Sequence, residues 1–283
     1  MISQKSYANE ESSILYLIPT PIGNMEDITL RAINTLEKVD FLLCEDTRVT
    51  MELLQKLNIK KKLFHCDDHN ENEVKEMVVN KLKQGAVIGL VTDRGTPIIS
   101  DPGYRVSQFV IENGYPVISL PGPTAFVPAL TMSGLNPSPF LFYGFLNSKE
   151  TKREKELEKL KSLFCTLIFY EAPHRIKDML ISVSKILGNR RIALCREISK
   201  KYEEILRGSV EDVLSIVDGL KGEMVVVVEG NTEIHNFDSL TILEHIKLYL
   251  EDGMSEKDAI KKVAVERNIP KSSVYKEYHI DNK

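Results

Sequence analysis

Five short apolar runs constrain what the first 135 residues of this chain can fold into. They cover residues 15–18, 41–44, 63–66, 86–91 and 116–120. Helical patterns separate them, such as residues 29–38, with Leu30, Ile33 and Leu36 on one side, and residues 72–84, ended by Gly85. Strands that alternate with helices of this length imply a mostly parallel sheet covered on both faces. A second set of strand-like runs lies at residues 140–145, 166–170, 191–195, 204–206 and 224–228, with less regular spacing. There residues 203–206 are followed soon by 223–229, which suggests some antiparallel pairing. A polar linker, "GNTEIHNFDS", leads to a short helical tail from Leu240. The expected architecture is α/β: an N-terminal domain over 1–135, a second over 136–231, and a helix-turn-helix-like tail over 239–283. A length of 283 residues suits two ordinary domains of roughly 100–150 residues each.

Composition narrows the function classes. Hydrophobic residues make up 42% and charged residues 28%, the balance of a soluble protein. No apolar segment approaches the ~20 residues that span a bilayer, and the polar N-terminus lacks an apolar signal core. A cytoplasmic location with no membrane partner is expected. The four cysteines, Cys44, Cys66, Cys165 and Cys195, have no CxxC spacing and read as reduced, buried thiols. At a net charge of −4, a nucleic-acid partner must be held by a local basic patch.

In an open parallel sheet, ligands bind beyond the carboxyl ends of the strands. Loops entering the first five strands are plain. Loops leaving them carry Pro/Gly turns or clustered polar groups: "PTPIGN" from Pro19, "EDTR" from Glu45, "DDHN" from Asp67, "TDRGTP" from Thr92 and "PGPT" from Pro121. Turn chemistry alone would spread such residues over both ends. The chain has no GxGxxG and no GxxxxGK[ST], and prolines occupy two positions of the first turn. The donor array that seats a pyrophosphate on a helix N-terminus is therefore lost. The ligand expected here has no polyphosphate.

Eight motifs occur in order: "PTPIGNMEDITLRA", "CEDTR", "DRGTPIISDPGY", "LPGPTA", "GFL", "FYEAPHR", "CREISKKYEE" and "KGEMVVVVEG". Together they resemble the tetrapyrrole (corrin/porphyrin) methylases, and within them the branch that methylates small-subunit ribosomal RNA. The likeness runs from about Leu15 to Gly230. It implies a homodimer that binds S-adenosylmethionine in a cleft between two α/β domains. It also implies 2′-O-methylation of a cytidine ribose in the decoding region of 16S rRNA, with no DNA partner. Porphyrin-modifying relatives carry G-x-G-P-G in the first turn; here Pro19 and Pro21 replace the first two glycines, which argues against a tetrapyrrole acceptor.

The resemblance implies site residues. Thr20 and Pro21, the loop Asp93, Gly95, Thr96, Pro97 and Ser100 with Asp101 beside it, and Thr124 with Ala125 match the cofactor side. Phe169 and Tyr170 end a strand where relatives contact the cofactor. An Asp93 that only caps a helix, a Thr124 that only starts one, and an apolar strand end that is only core are the plain alternatives. Arg94 stands where the family has a small residue, and either points to solvent or reaches RNA phosphate. Arg48, His69 and Arg175 are the other candidates for RNA contact, with Asn70 as a polar neighbour in the cleft. Methyl transfer to a ribose hydroxyl requires loss of the hydroxyl proton, and His174, Glu171 and Glu45 are the candidate bases. Arg196 and Glu197 are either a buried ion pair or part of the cleft. His65 and His69 are four apart, but the segment reads as strand into loop, so no metal is expected. Residues 149–161 hold six basic and four acidic side chains, either a solvated helix face or a track for RNA phosphates. In the tail, Val263 and Ala264 pack the first helix, Asn268 occupies the turn, and Ile269 and Val274 support the second. Two other functions compete: a small-molecule methylase acting on a tetrapyrrole-like acceptor, and a non-catalytic RNA-binding factor.

Overall fold

A computed structural model describes Gln4 and residues 13–232, 240–267 and 269–280. The chain divides into two compact units, Met1–Gly230 and Asn231–Lys283. The first holds two five-stranded sheets.

The first sheet is built from β1 (Ile14–Leu17), β2 (Phe41–Cys44), β3 (Lys62–His65), β4 (Val87–Leu90) and β5 (Val117–Ser119). Their order is β3-β2-β4-β1-β5, and every pairing is parallel. Helices α1 (Leu30–Lys38), α2 (Thr47–Lys56), α3 (Glu71–Leu82) and α4 (Tyr104–Glu112) make the crossovers. The alternation of a strand explains the unbroken apolar runs. Ile14 and Tyr16 enter one core with Leu36, Leu42 and Leu54, while Leu15 and Leu17 enter another with Val78, Leu82 and Val106. Each face is buried, so each position is apolar. One detail of the α1 reading is corrected: Leu30 is 79% exposed, whereas Leu36 faces the core and Ile33 packs against it as expected, joined by Ala32 and Thr35. Thr29 caps this helix, accepting the Ala32 N–H at 3.0 Å, so Leu30 sits in the first turn outside the buried stripe.

The second sheet comprises β6 (Phe140–Phe145), β7 (Thr166–Glu171), β8 (Arg191–Arg196), β9 (Glu204–Ser209) and β10 (Met224–Val228), in the order β6-β7-β10-β8-β9. Only β6 and β7 are parallel. The antiparallel character expected from β9 and β10 is present, but β8 lies between them and pairs with both. One face is covered by α6 (Glu150–Leu160), α7 (Ile176–Leu187) and α8 (Val210–Leu214). The other receives α5 (Phe126–Ser133), whose Ala129 and Leu130 pack on Ile168, Ala193, Val225 and Val227. Although α5 leaves the first sheet, it is the cover of the second, and so it joins the two. The charged run at residues 149–161 forms α6 with Arg153, Leu157 and Leu160 turned inward. Arg153 is 4% exposed and donates to Ser182 Oγ at 2.9 Å and the Ser148 carbonyl at 3.2 Å. All four cysteines are free thiols; Cys165 is half-buried, unlike the other three.

The second unit is a trio of helices, α9 (Ile242–Glu251), α10 (Glu256–Glu266) and α11 (Lys271–Ile280). Val263, Ala264 and Val274 form its core with Ile246 and Ile260, and Ile269 packs against them. Asn268 and most of the polar linker lie outside the described residues. Among the described residues no helix is long and apolar enough to cross a membrane.

Candidate functional site

Because the first sheet is all parallel, its five exit loops share one edge. Hydrogen bonds fuse four of them into one surface. Thr20 and Gly95 exchange backbone bonds at 2.8 and 3.0 Å, and Thr20 Oγ1 donates to the Thr92 carbonyl at 3.1 Å. The Asp46 N–H donates to Asp93 Oδ1 at 3.1 Å, and Thr96 Oγ1 donates to the Pro123 carbonyl at 2.9 Å. The proline-rich first turn has a packing reason: a Cβ on Gly122 would lie 2.5 Å from the Pro19 Cβ, so the ring rests directly on the backbone of the fifth loop. Buried Glu71, at the start of α3, accepts the Gly103 N–H and fixes the far end of the loop after β4.

Between this surface and the second sheet lies a cleft of about 480 Å³, within the size range of small-molecule sites. Residues 93–96, 99–101, 124 and 125 form one wall; residues 170–173, 223–225, Phe145 and Ile198 form the other. The loop after β4 is strained where it borders the cleft: Ile98 has φ 77° and Ser100 φ 65°. A β-branched residue there is unusual, and such strain gathers at ligand sites. Opposite, β6 carries a bulge between Phe142 and Gly144, and the Gly144 φ of 84° turns Phe145 to the cleft wall. A Cβ on Gly144 would sit 3.2 Å from Ser100 Oγ, so the bulge also sets how closely the two walls approach.

The wall formed by the first sheet is acidic. Burial pushes the Asp101 carboxyl up to about 6; the polar Thr92 side chain beside it opposes this, and the Asp93 and Asp68 carboxylates add to it. Burial also raises Asp93, against the Asp46 N–H it accepts. Glu45 is raised by burial and then by Asp93, Asp101, Asp68 and Asp67. Burial raises the Tyr170 phenol, while hydrogen bonds with Thr124 and the backbone at the start of α5 counter it. Such a wall favours a cationic ligand.

The residues singled out in the sequence fall into distinct places. Asp93, Arg94, Gly95, Thr96, Ser100, Thr124, Ala125, Tyr170 and Glu171 line the cleft. Thr20 and Pro21 line an adjoining groove that shares Asp93 and Arg94, and Pro97 is buried behind the loop. Phe169 points away into the core, since neighbours on a strand face opposite sides. Glu171 is 3% exposed, and its Oε1 accepts from Arg175 Nε at 2.7 Å and from the Ala172 N–H at 2.8 Å. His174 is exposed and off the cleft, and Glu45 borders a small gap beneath Thr92. Arg94 pairs across the cleft with Glu223, which also holds Lys200 at 2.8 Å. Arg48 lies flat against Asp46, with contacts of 3.0 and 2.6 Å, which helps hold the Asp46 carboxyl down to about 2. His69 is exposed; its backbone N–H donates to Asp67 at 2.9 Å, and Asn70 bonds the His65 carbonyl at 3.1 Å. His65 contacts the Glu45 carbonyl at 2.7 Å and Asp67 at 3.1 Å. Arg196 and Glu197 do not pair with each other: Arg196 binds Glu204 at 2.5 Å and Glu197 binds Lys200 at 2.9 Å. Sequence reasoning missed Phe145, Ile198 and Glu223 on the second wall. The "GFL", "CREIS" and "KGEM" motifs held them, but nothing in their spacing tells that three strands of another sheet converge here.

The family model for Tetrapyrrole (Corrin/Porphyrin) Methylases matches residues 14–214. The chain belongs to this family. Within the methylases, it is 46% identical over 278 residues to ribosomal RNA small subunit methyltransferase I of Bacillus subtilis (strain 168), covering 95% of each chain. The protein of the same name from Halalkalibacterium halodurans is 42% identical over 287 residues, covering 99% of each. Among solved structures, uroporphyrin-III C-methyltransferase from Thermus thermophilus, complexed with S-adenyl homocysteine, matches with a TM-score of 0.55 at 18% identity. That match covers 76% of this chain and 96% of the other, and it bears on the fold alone. The resemblance read from the eight motifs and the two-sheet α/β architecture are both borne out.

Proposed function

We propose that this methylase transfers a methyl group from S-adenosylmethionine to the 2′-oxygen of a cytidine ribose in the decoding region of 16S rRNA. The observation that carries this reading is identity of 46% across nearly the whole length of a relative named for methylation of small-subunit ribosomal RNA. The cleft supports it chemically. A first turn that packs proline rings where a phosphate-binding loop exposes N–H groups suits a cofactor without polyphosphate. The Asp93 carboxylate on the wall suits a cation. When bound, the cofactor supplies a methyl group activated on a sulfonium.

The chain's own residues supply placement. The backbone at Gly95, with Asp93, Thr96, Ser100, Thr124, Ala125 and Tyr170, holds the cofactor, while Thr20, Pro21 and Pro97 stand behind or beside this loop and brace it. Hydrogen bonds between the loops keep those groups rigid, so the geometry is set before the acceptor arrives. The apolar wall of Phe145, Ile198 and Val225 excludes water. Arg48 and His69, both exposed, face the RNA, whereas Arg94 and Arg175 are held by Glu223 and Glu171; the exposed lysines of α6 contact phosphates, as a chain of net charge −4 requires of a local basic patch. The protein acts as a cytoplasmic homodimer, with domains over 1–135 and 136–231 and the tail over 239–283.

Small ribosomal subunits from cells lacking this protein are the test substrate. Purified protein with labelled S-adenosylmethionine is expected to methylate one cytidine ribose in them and to leave porphyrin precursors unmodified. Label on a porphyrin acceptor, or none on the subunit with cofactor bound, would overturn the reading.

A further inference from the structure

We propose that Asp101 is the general base that removes the acceptor hydroxyl proton during methyl transfer. This rests on the methyltransferase reading above and adds to it the group that none of the sequence candidates supplies.

Elimination among the cleft's ionisable groups leads to it. Glu171 is ion-paired with Arg175 and accepts the Ala172 N–H on the same oxygen, and its side chain is only 2% exposed. Glu223 is held by Arg94 and Lys200. Asp93 accepts the Asp46 N–H and has the Arg94 and Arg48 guanidinium groups near it, which oppose its basicity. Tyr170 is a phenol raised by its burial, so it is protonated at neutral pH. His174 and Glu45 do not line the cleft. Asp101 does line it, and among the described residues no Lys, Arg or His forms an ion pair with it. Its loop is also the one whose backbone is strained, with Ser100 immediately before it at φ 65°. Strain of this kind marks a side chain whose direction the surrounding structure dictates.

The charges around Asp101 give it a suitable basicity. Asp93 on its own loop, Asp68 after β3 and Glu45 after β2 are all carboxylates, and Tyr170 faces it from β7. No cation among these groups lowers it, and a carboxyl near about 6 is ionised at neutral pH yet more basic than an exposed one. The step balances. The acceptor O–H proton passes to an Asp101 carboxylate oxygen as that hydroxyl oxygen bonds the methyl carbon. The carbon–sulfur bond breaks with its electron pair left on sulfur, and the protonated Asp101 then releases its proton to water.

The test uses full-length protein, small ribosomal subunits and the variants Asp101→Asn and Asp101→Glu. Wild-type single-turnover rate is expected to rise with pH through about 6 and then level. Asp101→Asn is expected to lose at least ~100-fold in rate and to lose that limb, while its affinity for S-adenosylmethionine by calorimetry stays within about threefold. Asp101→Glu, whose carboxylate reaches further, is expected to recover part of the rate with a pH limb. A readout independent of turnover is the carboxyl carbon resonance of Asp101 in free protein, expected to titrate near 6. Asp101→Asn at near wild-type rate, or a rate at saturating cofactor that is unchanged while affinity falls tenfold, would overturn the assignment; the latter makes Asp101 a cofactor ligand. Wild-type protein that binds cofactor yet never methylates the subunit strikes the functional reading instead.

Discussion

The Asp93 carboxylate accepts the Asp46 backbone N–H at 3.1 Å, tying the exit of β4 to the exit of β2. Asp46 is also the N-cap of α2, where it accepts the Arg48 N–H at 2.8 Å, so this contact orients the start of a helix as well as the cleft wall. Asp93→Ala is therefore expected to weaken S-adenosylmethionine binding at least tenfold. Its stability cost should be only about 1 kcal/mol, because the lost hydrogen bond is partly open to water. Calorimetric titration alongside thermal melting separates the two effects.

Asp101 makes stability depend on pH in the reverse of the usual carboxylate sense. Its folded value of about 6 lies above the unfolded value of about 4, so the fold favours the protonated form. That contribution is fully present below about pH 4 and is lost as pH rises through about 6. Asp101→Asn removes the charge at every pH. It should melt roughly 2–6 °C above wild type at pH 8 and level with it near pH 4, a gain of about 1–2 kcal/mol after allowing for solvent screening. Equal melting points at pH 8 would contradict the burial assigned to this carboxyl.

Glu171 and Arg175 are a mostly buried pair, whereas the intervening His174 is exposed. Arg175→Ala strands the Glu171 carboxylate and is expected to cost about 3–5 kcal/mol. His174→Ala should change stability by less than about 0.5 kcal/mol. Denaturant titration of the two variants side by side checks this, and a costly His174→Ala would mean that the turn after β7 is packed differently.

Gly122→Ala drives a methyl group into the Pro19 ring. Overpacking of this kind costs about 1–3 kcal/mol and should separate the first and fifth loops. The expected result is a lower melting point with weakened cofactor binding, both relieved by the double variant with Pro19→Gly, which removes the Cβ that the new methyl group meets. Absence of any rescue would show that the two positions do not touch.

Tyr170 shares a hydrogen bond with Thr124 and further bonds with the backbone at the start of α5, so its hydroxyl spans the two walls of the cleft. Tyr170→Phe is expected to cost about 1 kcal/mol of stability by denaturant titration, the worth of a lost neutral hydrogen bond, and to lower cofactor affinity only through the loosened Thr124 loop, about threefold by calorimetry. Its edge-on contacts with Phe142 and Phe145, at 4.9 and 5.7 Å between ring centroids, remain, so the cost should not exceed that of the hydroxyl.

Legibility from sequence followed the range of the forces involved. Local pattern carried each of the ten strands. Buried parallel strands such as β1 must be apolar at successive positions, and the Pro/Gly punctuation after each leaves little freedom in where it ends. One-edge clustering of the special loops was also legible, because parallel connectivity puts every exit on the same side. Leu30 was misread because one apolar residue in the first turn does not reveal which side of the helix is covered. The placement of β8 between β9 and β10 was hidden because pairing of antiparallel strands leaves no mark on their order in the chain.

The amino-acid sequence by itself determined the elements, the parallel sheet with its crossover helices, the missing phosphate loop and the family. Only the tertiary structure decided which charged groups are available for chemistry. Arg94 meets Glu223 across 129 positions of chain, and Arg175 takes up Glu171, while Asp101 is left facing the cleft among other carboxylates. The physical reason is that a side chain's basicity depends on the water it loses and the charges beside it. Both are set by residues brought near through folding, not by neighbours in the chain.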